Sequence, residues 1–585
     1  MCGIYAAISA SGYCHASPTL EKRLRNRGPD HHGSVEERLD YGNKPLFLTL
    51  TSTVLSLRGD HVAKQPLVDD ATGSVLCWNG EAWRLHGRPV EGNDGEAILL
   101  ELSAARGEGE VLEVLRAIEG PFAFIFLDKP AGRLYYGRDR LGRRSLLVRH
   151  GLPFSLSSVA ESPAAGWIEV EADGCYVLPL GLPRATGHLS AELVPIRRDW
   201  AEDATLGMWR VHPAHLRSAQ VSSIAVFDTS IPAEKCALTR HSSSAQQLRR
   251  QLNESLTSRV LQVPVPPHSS PSDAAVAVLF SGGLDCTVLA RMTSDLLPSD
   301  QAIDLINVAF ENPRIAAQHK GASQEELFEL CPDRITGRKS FAELGAVCAD
   351  RRWQFVTVNV PFSLASGSRA EVIELMHPHN TEMDLSIAYA LYFAARGQGR
   401  ILDEPGSAAR PYTTTARVLL SGLGADELFG GYTRHATAFS RQGYAGLVDE
   451  LRLDVGRLGR RNLGRDDRVM AHWKREVRFP YLDERLVRWA VQLPAWEKCD
   501  FENPGVDGEV EAGKRVLRIL AQELGMTGVA GEKKRALTRR QDPVWGSNGK
   551  DGERSSQGDD GDFMTTTTTY VMPEASASCA GTHGP

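Results

Sequence analysis

The segment Ala275–Thr287, A-V-A-V-L-F-S-G-G-L-D-C-T, limits what this 585-residue chain can fold into more than any other. Its first half is a continuous apolar run of the kind that forms a parallel strand covered on both faces. The run breaks at Ser281-Gly282-Gly283, and Val288-Leu289-Ala290-Arg291 then resumes with helical composition. The expected unit is strand, turn, helix. Two glycines let the backbone bend sharply and present its N–H groups to an anion, and a helix N-terminus adds partial positive charge. Such a turn suits a phosphate. Asp285 beside a phosphate calls for a divalent cation between them, and Mg²⁺ held by one or two carboxylates plus phosphate oxygens meets that need. A lone S-G-G also fits an ordinary packing turn, whereas S-G-G-x-D after a buried strand is a more specific pattern.

A second segment has the same design. Arg417–Leu420 reads as a strand that empties into Ser421-Gly422-Leu423-Gly424-Ala425-Asp426, another glycine-rich turn ending in carboxylates. Between the two turns, Asp304–Phe310 and Trp353–Val360 read as buried strands, and Leu385–Arg396 as an apolar helix; Ser243–Leu261 is a helix ahead of the first turn. Residues 311–330 read as a surface insertion. Strands alternating with helices predict a doubly wound parallel sheet with its ligand at the carboxyl ends of the strands, which would bring Asp426 towards Asp285. Charged runs further on, including Lys514–Arg518, read as solvated faces, with Lys534 singled out as a cation for phosphate. Residues 541–585 are rich in Gly, Ser, Thr and Asp, with Thr at 565–569, and are expected to be a disordered tail.

The amino-terminal part carries different chemistry. Removal of Met1 would leave Cys2 with both a thiol and a free α-amine, a self-contained nucleophile and base. Behind it come Arg27-Gly28-Pro29-Asp30, Trp78-Asn79-Gly80-Glu81 and Asn93-Asp94-Gly95-Glu96. An Asn side chain and a Gly N–H could hold the oxyanion of a tetrahedral intermediate, while carboxylates bind an α-ammonium. Each segment alone could be a turn. Short strands at Phe122–Leu127, Arg133–Tyr136 and Gly174–Leu178, with a helical stretch between, predict sandwiched antiparallel sheets with helices outside.

The net charge of −7, with both signs spread along the chain, gives no basic field for nucleic acid. Ten cysteines without a C-x-x-C suit reduced thiols. No run of about 18 apolar residues offers a membrane span, and the first residues lack the basic stretch of a secretory signal. The expected setting is the cytoplasm, with small-molecule substrates.

With these segments in place, the chain resembles the glutamine-dependent asparagine synthetase family. D-R-I-T-G-R (Asp333–Arg338), N-L-G-R-D-D-R (Asn462–Arg468), R-F-P-Y-L-D-E (Arg478–Glu484) and L-P-A-W-E-K (Leu493–Lys498) are similar to its asparagine synthetase domain-containing subgroup. The resemblance implies an α/β chain in two domains. Residues 2–205 would form a class II glutamine amidotransferase domain, an N-terminal-nucleophile αββα sandwich; 206–240 a linker; and 241–540 a doubly wound ATP-pyrophosphatase domain. It implies Cys2 as glutaminase nucleophile, Asn79 and Gly80 as oxyanion hole, and Glu81 and Asp94 on the glutamine ammonium. Leu279, Ser281, Gly282, Gly283, Leu284, Asp285, Val308, Ser421 and Gly422 would bind ATP; Asp285 and Asp426 would hold Mg²⁺; Lys534 would steady the adenylate or pyrophosphate. Glutamine, aspartate and ATP are the implied substrates, ATP and Mg²⁺ the cofactors, and a homodimer is left open.

The chain departs from the family pattern at several points. Val54 stands where an Arg ordinarily binds the glutamine carboxylate, leaving Arg58 as the candidate substitute. Cys286 replaces a serine after S-G-G-L-D, and Leu423 and Ala425 replace a Glu and a Ser. Pro378 and Ser386 fall where an acceptor-side Glu and Arg ordinarily stand, so His379, Glu382 or Asp384 would supply the base and Arg465 or Arg468 the acceptor's carboxylate partner. Two alternatives stay open: an amide-forming ligase with another acceptor, as in β-lactam synthetase, and a catalytically degenerate member with a binding role.

Overall fold

In the computed structural model, residues 2–40, 45–180, 193–201, 224–319, 321–402, 408–503 and 510–533 are described. Lys534 and the tail lie outside them. The first two hundred residues build two six-stranded sheets. One runs, in spatial order, Ile168–Glu169, Leu147–Arg149, Phe154–Ser157, Gly3–Ser9, Leu46–Val54, His31–Leu39; the other runs Ile196–Asp199, Gly174–Pro179, Arg133–Arg138, Phe122–Asp128, Val75–Gly80, Leu67–Val68. Every pairing in both is antiparallel.

Alternation places the layers. In Gly3–Ser9, Ile4, Ala6 and Ile8 pack with Val75, Cys77, Ile125 and Leu127 between the sheets, while Tyr5 and Ala7 turn the other way to Leu20 and Leu24 of helix Pro18–Arg27. On the far side of the second sheet, Leu76, Trp78, Phe124 and Phe126 meet Ile98, Leu102, Val111 and Leu115 of helices Asp94–Ala104 and Glu108–Arg116. The sequence pattern had exposed the second sheet; the strands flanking Gly3–Ser9 carry Thr and Ser (L-T-L-T-S-T at 48–53), a composition that also reads as loop.

Downstream lies a seven-stranded sheet, in order Arg410–Thr413, Gln398–Ile401, Trp353–Val360, Ile303–Phe310, Val276–Leu279, Val418–Leu420, Glu476–Arg478. The last five are parallel, and the first two form an antiparallel edge that the helix–strand alternation did not predict. In chain order the parallel strands read 3-2-1-4-5. The order reverses between Val276–Leu279 and Val418–Leu420, and ligands of such sheets bind outside the carboxyl ends at that reversal. Both glycine turns leave those two strands. The stretch read as a surface insertion holds two short helices, Pro313–Gln318 and Gln324–Glu329, the second closed by a Ser323/Glu326 capping box. Among the described residues no helix is long and apolar enough to cross a membrane.

Candidate functional site

Cys2 sits at the mouth of strand Gly3–Ser9, buried, and its backbone N–H donates to Asn79 Oδ1 at 3.0 Å. Its carbonyl accepts from Arg27 Nε at 3.1 Å, and Gln65 Nε2 lies 3.8 Å from the thiol sulfur. Burial pushes the thiol's pKa up, so a base beside it is needed to ionise it. Asn79 is fully buried, and its Nδ2 has no hydrogen-bond partner. A buried amide donor costs about 1–3 kcal/mol when left unpaired, and an incoming oxyanion would satisfy it. Gly80 is required sterically, because a Cβ there would lie 2.6 Å from both Phe122 Cβ and Pro121 O.

Glu81 and Asp94 are both buried nearby. Asp94 Oδ2 accepts from Trp78 Nε1 at 2.9 Å and from the Ala82 N–H at 2.8 Å, yet burial still raises its pKa. Burial, with Glu476 close by, pushes Glu81 up to about 8, opposed by Arg478, whose Nη2 donates to Glu81 Oε1 at 3.3 Å. Two dry carboxylates that resist ionisation are a receptor for a cation such as an α-ammonium. Arg58, the expected substitute for the missing carboxylate ligand, lies beside the same carboxylates, with Nη1 3.7 Å from Glu81 Oε2. Its Nε donates to Gly92 O at 3.1 Å, Nη1 to Ala82 O at 2.9 Å and Nη2 to Val90 O, so it clamps the loop between Glu81 and Asp94.

At the other site the first turn is forced tight. Gly282 has φ 82°, and a Cβ there would meet Gly337 N at 2.5 Å. Helix Pro332–Val347 supplies that contact, and Ser340 Oγ donates to Gly282 O at 2.6 Å. The D-R-I-T-G-R segment is thus the backing of the turn: Asn307 Nδ2 ties Phe280 O and Asp333 O together at 2.9 and 3.0 Å, and Arg334 Nε donates to Asn307 Oδ1 at 2.6 Å. Leu284 opens helix Leu284–Leu296, whose first N–H groups have no side-chain cap. Leu279 and Val308, half-buried at the ends of adjacent strands, offer apolar surface.

The second turn closes against the first. A Cβ on Gly422 would stand 2.9 Å from Asp285 Cβ, and the Ser421 N–H is held by Arg478 O at 3.0 Å. Asp285 and Asp426 do converge, on a group the sequence reading passed over. Lys514 Nζ lies 2.8 Å from both Asp285 carboxylate oxygens and 2.8 Å from Asp426 Oδ1. Although burial works against its charge, the two carboxylates hold the Lys514 pKa well above the usual range. One sign was visible: A-G-K-R-V-L-R puts a lysine ahead of a helix start, the wrong end for a cation. Lys514 there takes φ 54° and precedes helix Arg515–Glu523. Cys286 is buried with its thiol on Gly283 O at 3.3 Å, and Ala425 is fully buried.

The acceptor-side expectations need correction. Arg465 gives Nε and Nη2 to Asp466 Oδ1 at 2.9 and 2.7 Å and Nη1 to Asp384. Arg468 is buried on Glu169 (3.0 Å), Ser145 Oγ (2.8 Å) and the carbonyls of Leu375 and Met376. Both guanidiniums are committed to protein acceptors. Beside them a cavity of about 360 Å³ opens between Arg138, Glu169, His379, Asp384 and Arg460.

Residues 1–165 match the glutamine amidotransferase domain family, and residues 408–450 and 440–539 match the asparagine synthase family. An asparagine synthetase domain-containing protein 1 of Bos taurus is 33% identical over 92% of this chain and 94% of its own length. The chain belongs to the asparagine synthetase domain-containing protein 1 family. A yeast asparagine synthetase domain-containing protein (Saccharomyces cerevisiae) is 30% identical over 83% of the chain and 82% of its own. A protein named glutamine-hydrolyzing asparagine synthetase, from Sandersonia aurantiaca, is 22% identical over 85% and 79%.

In this member of the asparagine synthetase domain-containing family, the amidotransferase part meets the rest along a seam of buried and half-buried ion pairs that motif reading did not foresee. Arg27–Asp467 (2.7 Å), Asp30–Arg417 (2.8 Å), Glu81–Arg478 (3.3 Å), Arg143–Glu484, Arg144–Glu476 (3.1 Å) and Glu169–Arg468 (3.0 Å) all cross it. The N-L-G-R-D-D-R and R-F-P-Y-L-D-E motifs supply Asp467, Arg468, Arg478 and Glu484 to this seam.

Proposed function

We propose that this chain is a glutamine-dependent amide-forming ligase that converts aspartate to asparagine. The observation that carries the reading is the meeting of the two glycine turns, with the Lys514 ammonium between Asp285 and Asp426. A fixed cation among carboxylates, at the carboxyl edge where a parallel sheet reverses, suits a nucleotide split between its α and β phosphates. Lys514, in place of Lys534, is the residue proposed to steady the adenylate and pyrophosphate.

On this reading residues 2–205 act as an N-terminal-nucleophile amidotransferase. Once Met1 is removed, the Cys2 α-amine takes the thiol proton and the thiolate adds to the glutamine side-chain carbonyl. Asn79 Nδ2 and the Gly80 N–H receive the oxyanion, and Glu81 and Asp94 receive the α-ammonium. Ammonia leaves, and water releases glutamate from the thioester. In the other half the acceptor carboxylate attacks the α-phosphate of ATP, pyrophosphate departs, and ammonia displaces AMP from the acyl-adenylate. Ser281–Asp285, Ser421 and Gly422 cradle the phosphates, with Leu279 and Val308 against the base. Asp285 and Asp426 would hold Mg²⁺, which when bound neutralises the departing pyrophosphate. Two hard carboxylates suit that ion, with phosphate oxygens completing its shell; among the described residues no group of three or more His, Cys, Asp or Glu gathers as a metal site without them.

One observation favours a second reading, an acceptor other than aspartate: Arg465 and Arg468 are saturated by protein groups. The test is pyrophosphate release by the purified full chain with ATP, Mg²⁺ and glutamine. Release that requires aspartate supports the first reading. Release with a different carboxylic acid supports the second, and none with any acid supports a binding role.

A further inference from the structure

Gln65 meets the sulfur of Cys2, and the glutaminase chemistry proposed for that thiol leaves it unused. The residue is buried, and its side chain spans from Cys2 to strand Val75–Gly80: Oε1 accepts from the Trp78 backbone N–H at 2.8 Å, and Nε2 lies 3.8 Å from the Cys2 sulfur. Strand pairing explains why an amide stands there. Leu67–Val68 pairs with Val75–Gly80 only at Leu76 and Val75, so the ladder on that side has run out before Trp78, whose N–H takes a side-chain acceptor in place of a strand partner. That bond also decides which way the amide faces. An N–H cannot accept from an N–H, so the oxygen turns to Trp78 and the NH₂ group to the sulfur. Strand His31–Leu39 backs the residue from behind, where a Cβ on Gly33 would stand 2.4 Å from Gln65 O.

The thiol has use for a donor. Burial pushes its pKa up, and the nearby carboxylates of Asp94 and, across the seam, Glu476 push the same way; the chain's α-amine and a bond from the Leu55 backbone oppose them. Arg27 is held at the Cys2 carbonyl.

We propose that Gln65 is a further catalytic residue of the amidotransferase site, its Nε2–H donating to the Cys2 sulfur as the thiol proton passes to the α-amine. The inference rests on the reading of Cys2 as the nucleophile. A donor to the charged form favours that form, so Gln65 raises the fraction of thiolate and holds the sulfur in one rotamer. The same bond makes the thiolate less nucleophilic, but with a Brønsted slope of about 0.4–0.5 the gain in thiolate outweighs that loss for a thiol held up by burial. When the sulfur bonds to the amide carbon its charge passes to the carbonyl oxygen, and the stabilising donors become Asn79 Nδ2 and the Gly80 N–H.

The experiment is the pH dependence of Cys2 alkylation by iodoacetamide in the full chain, followed on the N-terminal peptide by mass spectrometry once its mass has shown Cys2 to be the first residue. Iodoacetamide is a primary amide smaller than glutamine, and the readout needs neither ATP nor turnover. In Gln65→Met the midpoint should rise by about one pH unit, as loss of a long hydrogen bond to a charged group implies. Gln65→Glu keeps an acceptor for Trp78 and sets a carboxylate against the sulfur, and should raise the midpoint as well. A midpoint unchanged in folded Gln65→Met, with only the limiting rate at high pH altered, would mean that Gln65 merely packs against the thiol and overturns the proposal; should that variant not fold, an unchanged midpoint in Gln65→Glu overturns it. A midpoint that moves as expected in a protein that hydrolyses no glutamine upholds the hydrogen bond and removes the glutaminase reading instead.

Discussion

The two candidate sites are built in opposite ways. At the first, Cys2, Asn79, Glu81 and Asp94 are all under a tenth exposed, and the pocket is shaped by paired strands and a clamped loop. At the second, Ser281 is exposed, and Asp285, Ser421, Gly422 and Asp426 are half-buried around the Lys514 ammonium. The contrast follows from what each must hold. On the proposed reading, a small zwitterionic amide is bound by desolvated groups whose unsatisfied valences it completes, whereas a polyanion arriving with its counter-ion needs backbone N–H groups and charges that can be exchanged. On the same reading the first site is preorganised and the second would be completed by its ligand.

The sharpest way to break this comparison is Cys2→Ala, which should abolish use of glutamine while leaving ammonia-dependent pyrophosphate release at its original rate; loss of both, in folded protein, would mean the sites are not separable. Next, Lys514→Met and Asp285→Asn should each lower ATP cleavage to AMP by orders of magnitude with glutamine hydrolysis retained. Lys514→Met should also reduce stability by about 2–3 kcal/mol in urea denaturation, since it strands two carboxylates that are about four-fifths buried. Nucleotide turnover unaffected by Lys514→Met would move the catalytic cation elsewhere.

The seam gives the third effect. Arg27→Met leaves buried Asp467 with the more distant Arg144 (3.8 Å) as its remaining guanidinium partner and should cost about 3 kcal/mol, part of it regained when Asp467→Leu is added. Additive losses in the double variant would show that the pair is not the unit. The smallest effect sharpens the first site. Because Glu81 is pushed up to about 8, its ionised form is lost as pH falls. Glutamine affinity measured on Cys2→Ala protein should therefore rise by about tenfold per pH unit up to about 8 and then level off. Glu81→Gln should flatten that slope, and a profile that stays steep in the variant would assign it to another group.

How legible these features were depended on how local they are. The glycine turns announced themselves because a buried strand, two glycines and a carboxylate fall within a dozen residues. Lys514 was missed because its meaning arises only when a segment more than two hundred residues after Asp285 folds over both turns. The seam was invisible for a related reason: Asp467, Arg478 and Glu484 sit in charged motifs whose default reading is a solvated face, and only the docked partner reveals them as interior. Arg58 shows the converse, an arginine noticed in the sequence whose three hydrogen bonds are to local carbonyls while its charge faces Glu81 at 3.7 Å. The antiparallel edge at Gln398–Ile401 and Arg410–Thr413 lacks the apolar run that marks a central strand, as an edge may.

The seam's arrangement of sign also settles how the two halves can meet. In Arg27–Asp467, Arg143–Glu484, Arg144–Glu476 and Arg23–Glu374 the arginine belongs to the amino-terminal half, and in Asp30–Arg417, Glu81–Arg478, Glu169–Arg468 and Glu119–Arg485 to the carboxy-terminal one. Faces of uniform opposite charge would attract in many alignments; faces of interleaved charge reward a single one, because a slipped alignment sets arginine against arginine and carboxylate against carboxylate. The seam works as a key cut in charge, and on the proposed reading its use would be to fix the distance between a place where ammonia is made and a place where it is spent.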